Sequence, residues 1–246
     1  MAEKLLHLSN PRQNQLIAEL PHAEWRRWQP QLELVDLSRA QVLVDSGSAT
    51  AYAYFPTTAI VSLLCVMRTG EATEVAVVGH DGMVGLSLLM GDSVMTSKAV
   101  VQSAGQAYRM RAHLVTDALD RSAAVMQILL RYTESIIGQV AQTAVCNRYH
   151  SVDQQLCRRL LLGLDRLGSN ILVMTQEVIA TLLGVRRESV TAAALKLQED
   201  GVISYHRGQI AVLDRGRLEQ RTCECYAASL NPRHARPQAV AAGASA

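Results

Sequence analysis

Between Leu114 and Val145 the chain has no proline and a single glycine, Gly138. A stretch of that length without a breaker points to one long helix. Val125, Leu129, Tyr132, Ile136, Val140 and Thr143 recur along it at spacings of four and three, which draws a stripe down one face. Met126, Ile128, Leu130 and Ile137 make other faces partly apolar as well. A helix that is apolar on more than one side packs on more than one partner. The six-residue stripe is read as the seam with a second copy of the same helix, and another face as resting on a neighbouring domain. The alternative is a single core helix within one large domain.

The stretch before this helix has a different texture. From about residue 38, short apolar runs alternate with glycines: Gln41 to Val44 before Gly47, Ala59 to Met67 before Gly70, Val75 to Val78 before Gly79, then Val100-Val101 and Ala107-Tyr108. Short Val- and Ile-rich runs bounded by Gly read as antiparallel strands of a sandwich or barrel. No helical pattern interrupts them, which argues against parallel βαβ units. Residues 12–37 read as a short helical segment, with Leu16, Ile17 and Leu20 in phase and Pro21 and Pro30 as punctuation.

Composition narrows the class. The chain has 246 residues, 49% hydrophobic and 19% charged, so it is not a disordered chain. No apolar run is long enough for a membrane span, and the start at Met1 shows no signal-peptide pattern. The five cysteines are scattered, so reduced thiols and a cytoplasmic location are expected. Residues 1–150 carry 12 Lys/Arg and 13 Asp/Glu, a net −1, and residues 151–246 carry 12 and 9, a net +3. The basic excess on the C-terminal side hints at an anionic partner there.

The C-terminal third holds the informative spacing. A helix from Val152 to Leu167 carries Leu156, Leu160, Leu161 and Leu164 on one side. Thr175 then stands as an N-cap, with Glu177 in the first turn. Two helices of about eight and fourteen residues follow, joined at Leu183-Gly184-Val185. Ala180 lets the helices cross closely, Gly184 supplies the left-handed turn and Val190 plugs the angle between them. Ala, Gly four residues later and Val six after that is the spacing of a helix-turn-helix. Val202 to Tyr205 and Ile210 to Leu213, separated by His206-Arg207-Gly208-Gln209, read as a hairpin wing.

These residues carry a resemblance. Thr175-Gln176-Glu177, then Leu183-Gly184-Val185-Arg186-Arg187-Glu188-Ser189-Val190, then Leu197 to Ile203, resemble the signature of the CRP/FNR family of bacterial transcription regulators. Organisation is similar over about residues 12–225, and the motif itself over about 174–214. The resemblance implies an α+β chain: an N-terminal antiparallel β-roll of cyclic-nucleotide-binding type at 12–112, a dimerisation helix at 113–150 and a winged helix-turn-helix at 151–228. Residues 229–246 read as a disordered tail. It also implies a homodimer on double-stranded DNA with an inverted-repeat operator, with RNA polymerase and an unidentified effector as further partners. Arg187 and Glu188 match the family's readers of base edges. That chemistry is sound, since Arg donates twice to guanine and Glu accepts from cytosine N4. Thr175, Gln176, Arg186, Ser189, Thr191, Lys196 and Arg207 complete the expected DNA contacts. Two positions depart from the family: Ala192 replaces its second Arg, and Arg186 replaces its capping Ser.

The ligand pocket that the family builds for a cyclic nucleotide falls here at Gly85, Leu86, Ser97 and Lys98. Leu86 stands where a ribose-binding Glu is expected, and Ser97 where a phosphate-binding Arg is expected. Lys98 lacks the planar fork of Arg. No cAMP or cGMP binding, and no other cofactor, is therefore expected. The first cysteine is Cys65, which leaves nothing for an N-terminal iron–sulfur cluster, and His7, His22 and His80 show no haem pattern. Cys223 and Cys225 are a pair, while a zinc site needs about four ligands. His80-Asp81, between two glycines, reads as a turn rather than an acid–base pair. No nucleophile motif or P-loop accompanies it, so no catalysis is expected. Two alternatives stay open: a sensor or partner-binding protein that has lost DNA binding, and a redox- or metal-responsive regulator using Cys223 and Cys225.

Overall fold

The structure is a computed structural model, and it describes residues 10–91, 94–167 and 170–230. The chain opens with two short helices, α1 (Gln15–Ala18) and α2 (His22–Trp28). Seven strands follow: β1 (Glu33–Leu37), β2 (Val42–Val44), β3 (Tyr52–Pro56), β4 (Ile60–Val66), β5 (Ala72–Val78), β6 (Lys98–Ser103) and β7 (Gly105–Arg111). They form two antiparallel sheets, ordered β1-β7-β3 and β2-β6-β4-β5. The lead-in segment is helical only as far as residue 31, because Glu33 to Leu37 pairs with β7 in register Glu33↔Arg109. Asn14 fastens the lead-in to the sheets. It is fully buried, its amide donates to Pro56 O and Gly82 O, and its Oδ1 caps α1. Trp28 meets Phe55 edge to face at 5.6 Å.

The long helix is two helices, α3 (Ala112–Arg121) and α4 (Ala123–Tyr149). Ser122 breaks them apart, with an extended backbone and a side chain that accepts from Val125 N. The stripe read as a dimer seam faces the chain's own β-roll. Val125, Leu129, Tyr132 and Ile136 are buried in the roll core. Tyr132 lies over Gly82, where even a Cβ would collide with its ring, and its hydroxyl donates to Met83 O. As far as Ile136 the period follows a contact face, and in this chain that face meets the roll. The face left open is the other one, with Leu130 51% and Ile137 62% exposed, together with Val140, Val145 and the small residues Gly138 and Ala141. Val140 thus belongs to the open face, and Thr143 is half-buried near Arg158.

His150 ends α4, and Ser151 opens α5 (Val152–Leu167) through a reciprocal cap with Gln154. The remaining elements are β8 (Ile171–Val173), α6 (Gln176–Leu183), α7 (Arg187–Glu199), β9 (Ile203–His206), β10 (Gln209–Val212), α8 (Arg215–Arg221) and α9 (Cys225–Ser229). The expected hairpin gains a third strand, in the order β8-β10-β9. A second core gathers Leu156, Leu160, Leu161, Ile179, Val190 and Leu197. Most of the tail expected to be disordered lies outside the described residues, and Ser229 still belongs to α9. Among the described residues, no helix is long and apolar enough to cross a membrane.

Candidate nucleic-acid interface

Thr175 caps α6 by accepting from Val178 N, as its position in the sequence requires. Gly184 ends that helix in the left-handed conformation, φ 67°, and Val185 N returns to Ala180 O. Ala180 and Val190 are buried at the crossing with α7. The Thr191 hydroxyl donates to Gln176 Oε1 at 2.6 Å, so these two side chains lock the helices together. Arg186 sits at the N-cap of α7 without capping it, which leaves its guanidinium outside. Arg187 and Glu188 occupy the first turn and are exposed, Arg187 with a loose approach of 4.0 Å to Glu177. Ser189 is half-buried behind them.

The wing reaches the same end. The Tyr205 hydroxyl donates to Met174 O, just ahead of α6, and Gly208 packs beside the Thr175 methyl. Burial raises the Tyr205 pKa, and the nearby Arg187 charge works against that rise. The two-residue turn Arg207-Gly208 has positive φ at both positions, 47° and 76°, as a tight hairpin demands. Thr175, Gln176, Arg186, Arg187, Glu188, Ser189, Thr191 and Arg207 are thus assembled on one side of the domain. Lys196 is not among them. It lies in the last turn of α7 and is paired with Asp153 of α5 at 2.8 Å, both side chains exposed.

The reading turn is also docked on the β-roll. Thr73 Oγ1 donates to Leu182 O, and a Cβ at Gly184 would come 3.0 Å from the same hydroxyl. A cleft of about 1240 Å³ separates Arg186, Arg187 and Glu188 from the tip of the β4–β5 hairpin, Met67 to Thr73. Behind it lies a buried clamp that no local pattern announces. Arg159 of α5 is 3.0 Å from Glu74 of β5, with side chains only 5% and 8% exposed, and its guanidinium also donates to Gln102 of β6. Burial lowers the Arg159 pKa, and Glu74 opposes that shift. A second pair, Arg166 with Asp81 at 3.1 Å, joins α5 to the turn after β5. That turn is what His80-Asp81 was expected to be, and Asp81 also accepts from Gly79 N.

The residues expected at the ligand pocket lie within the roll. Gly85 is left-handed, φ 115°, and precedes a short 3-10 turn whose Leu86 packs on the roll core. Lys98 pairs with Asp45 at 3.4 Å, and Ser97 is half-buried beside it in sequence.

At the other end of α4, Cys146 and His150 meet Cys223 and Cys225, all four donor atoms lying within 4.8 Å of one another. The sequence offered only the last two. Cys146 and His150 are four apart, in the last turn of α4 and at its cap, a spacing that the sequence displays. Burial pushes the Cys146 thiol up to about 12 and raises Cys225 as well.

Residues 154–221 match the family described as the Crp-like helix-turn-helix domain. No curated protein matches the chain in sequence. Among solved structures, a transcriptional regulator of the CRP/FNR family from Eubacterium rectale superposes with a TM-score of 0.65 at 19% identity, covering 85% of this chain and 98% of its own. FixK2 from Bradyrhizobium japonicum gives 0.65 at 16%, covering 78% and 98%. A CRP/FNR regulator from Thermus thermophilus gives 0.63 at 19%, covering 76% and 97%. At these identities the likeness is one of fold. The chain therefore has the fold of the CRP/FNR transcription regulators, with residues 154–221 similar to the Crp-like helix-turn-helix domain.

Proposed function

We propose that this chain is a cytoplasmic, sequence-specific DNA-binding transcription regulator that acts as a homodimer and catalyses no reaction. The observation that carries the reading is the first turn of α7, where Arg186, Arg187 and Glu188 stand exposed beside the wing. Helix N-termini in this setting enter the major groove, and an Arg–Glu pair there has donors for guanine and an acceptor for cytosine. Arg207 adds support, because a non-glycine residue held at positive φ is strained. A cation kept at the wing tip in spite of that strain suits a phosphate contact.

The dimer is built on the open face of α4. Leu130, Ile137 and Val145 form an apolar stripe with Gly138 and Ala141 between them, so two such helices can approach closely. Two winged helices joined this way read half-sites about 34–36 Å apart on an inverted repeat. The test is selection of bound duplexes from a random pool by the full chain, followed by titration at several salt concentrations. An inverted repeat bound far more tightly than random DNA is expected. Equal, weak binding of both would favour the alternative in which DNA reading has been lost, to which the exposed Ala192 in place of an Arg belongs. RNA polymerase and an effector are the further partners of this reading. On this reading the effector is a ligand other than cAMP or cGMP, which is supported by Leu86 packing against the core and Lys98 pairing with Asp45. Titration calorimetry with either nucleotide should give no binding tighter than millimolar, and a micromolar constant would contradict this.

A further inference from the structure

The three cysteines and one histidine at the hinge between α4 and α5 are outside the DNA-reading surface, and their geometry has its own meaning. Cys146 Sγ is 3.6 Å from Cys223 Sγ, and Cys225 Sγ is 3.4 Å from His150 Nδ1. Zinc takes thiolates at about 2.3 Å and imidazole nitrogen at about 2.0–2.1 Å in a tetrahedron, which sets ligand-to-ligand edges of roughly 3.5–3.8 Å. The two contacts have the length of such edges. A disulfide would need sulfurs at about 2.05 Å, and it would leave Cys225 facing His150 without purpose. An iron–sulfur cluster places several metal atoms between its thiolates, so four donors drawn this close leave no room for its core.

The surroundings are those of a built site. The three cysteines are buried and form a small cluster of their own, apart from the two main cores. Gln142 Nε2 donates to Cys225 Sγ at 2.9 Å. His150 turns Nδ1 to the thiols while Nε2 lies 3.3 Å from the Glu224 carboxylate. A carboxylate on the far nitrogen fixes the ring and its tautomer, the usual support of a metal-bound histidine.

We propose that Cys146, His150, Cys223 and Cys225 bind one thiophilic divalent cation, zinc by its ligand chemistry, and that this ion pins the C-terminal segment to the α4–α5 hinge. A tetrahedral set rich in sulfur selects zinc among the common divalent ions. On binding, three thiol protons pass to solvent and neutral His150 gives the Nδ1 lone pair. Two ligands come from the last turn of α4 and its cap, and two from the segment around the start of α9. The ion is therefore a cross-link between the long helix and the far end of the winged-helix domain.

The test uses the full chain, purified under reducing conditions and analysed for metal by mass spectrometry. About one zinc per chain is expected in the wild type and in Cys65→Ser, whose thiol is exposed elsewhere. Cys223→Ser and Cys225→Ser should lose it. Because serine at a buried site can impair folding, the wild-type apoprotein is also titrated with cobalt(II). Intense d–d bands of a tetrahedral thiolate complex, bleached by added zinc, are the expected signature. Absence of both zinc and cobalt bands in reduced protein overturns the proposal. So does a Cys146–Cys223 disulfide found together with no metal uptake after reduction, or iron with matching sulfide. The pinning is read separately: stripping the metal should lower the thermal midpoint, and an unchanged midpoint in a metal-binding protein overturns that part.

Discussion

Arg207 and Arg187 are both exposed arginines near one end of the winged helix, yet their neighbours give them opposite roles. Arg207 holds a left-handed backbone that costs most residues about 1–2 kcal/mol and that asparagine accepts more easily. Arg207→Asn should therefore raise stability slightly, by up to about 1 kcal/mol, while weakening binding to every DNA sequence alike and reducing the salt slope by about one per site. Arg187→Ala should leave stability nearly unchanged. It should cost roughly 1–3 kcal/mol per half-site on the operator and relax the preference at one base position. Denaturation curves and titrations on operator and random duplexes check both variants. If Arg187→Ala lowers both affinities equally, α7 is not the reader. These roles were legible because turn, cap and helix phase are local. The pairing of Lys196 with Asp153 was not legible for the complementary reason: the two lie 43 residues apart in the chain.

Helix α4 shows what a repeat in the sequence can and cannot convey. The spacing of Val125, Leu129, Tyr132 and Ile136 marked a true contact face, and the β-roll took it. Leu130 and Ile137, which read as secondary, are the ones left outside. Leu130→Asp with Ile137→Asp should give a folded monomer, because the carboxylates stay solvated in one chain but are buried like charges in a dimer. Leu129→Asp should instead unfold the roll, since an ionised group there has no partner. Sedimentation and circular dichroism separate the two outcomes. A dimer that survives the first pair would place the interface elsewhere. The break at Ser122 escaped notice because neither Gly nor Pro marks it, only a capping serine. Strand β3, with aromatic residues and a terminal proline, and β1, within a segment read as helical, escaped for want of a clear alternation.

At the scale of the whole molecule, the two cores meet through charge. Glu74→Ala would leave Arg159 buried beside no carboxylate, a change that costs about 3–5 kcal/mol. We expect a lower thermal midpoint and two separated transitions where the parent shows one. A single transition at the parental midpoint would mean that the clamp carries no coupling. Neither this clamp nor the meeting of the two Cys/His pairs was readable beforehand, because Arg159 and Glu74 are 85 residues apart, and Cys146 and Cys223 are 77. The same long reach sets an order in time. The roll must join strands as distant as Glu33 and Arg109, 76 residues apart, whereas β8, β9 and β10 close within one short stretch. Distant pairings form slowly and local ones quickly. When the whole chain refolds from the denatured state, the winged helix is the faster half to finish. Both tryptophans, Trp25 and Trp28, sit on the roll, so refolding followed by their fluorescence should lag behind the recovery of helical dichroism. Simultaneous recovery would mean that one nucleus serves both halves. In that interval of refolding the reading turn is complete and the β4–β5 hairpin has not yet arrived, so a refolding chain shows its DNA-facing side before the roll can cover any of it.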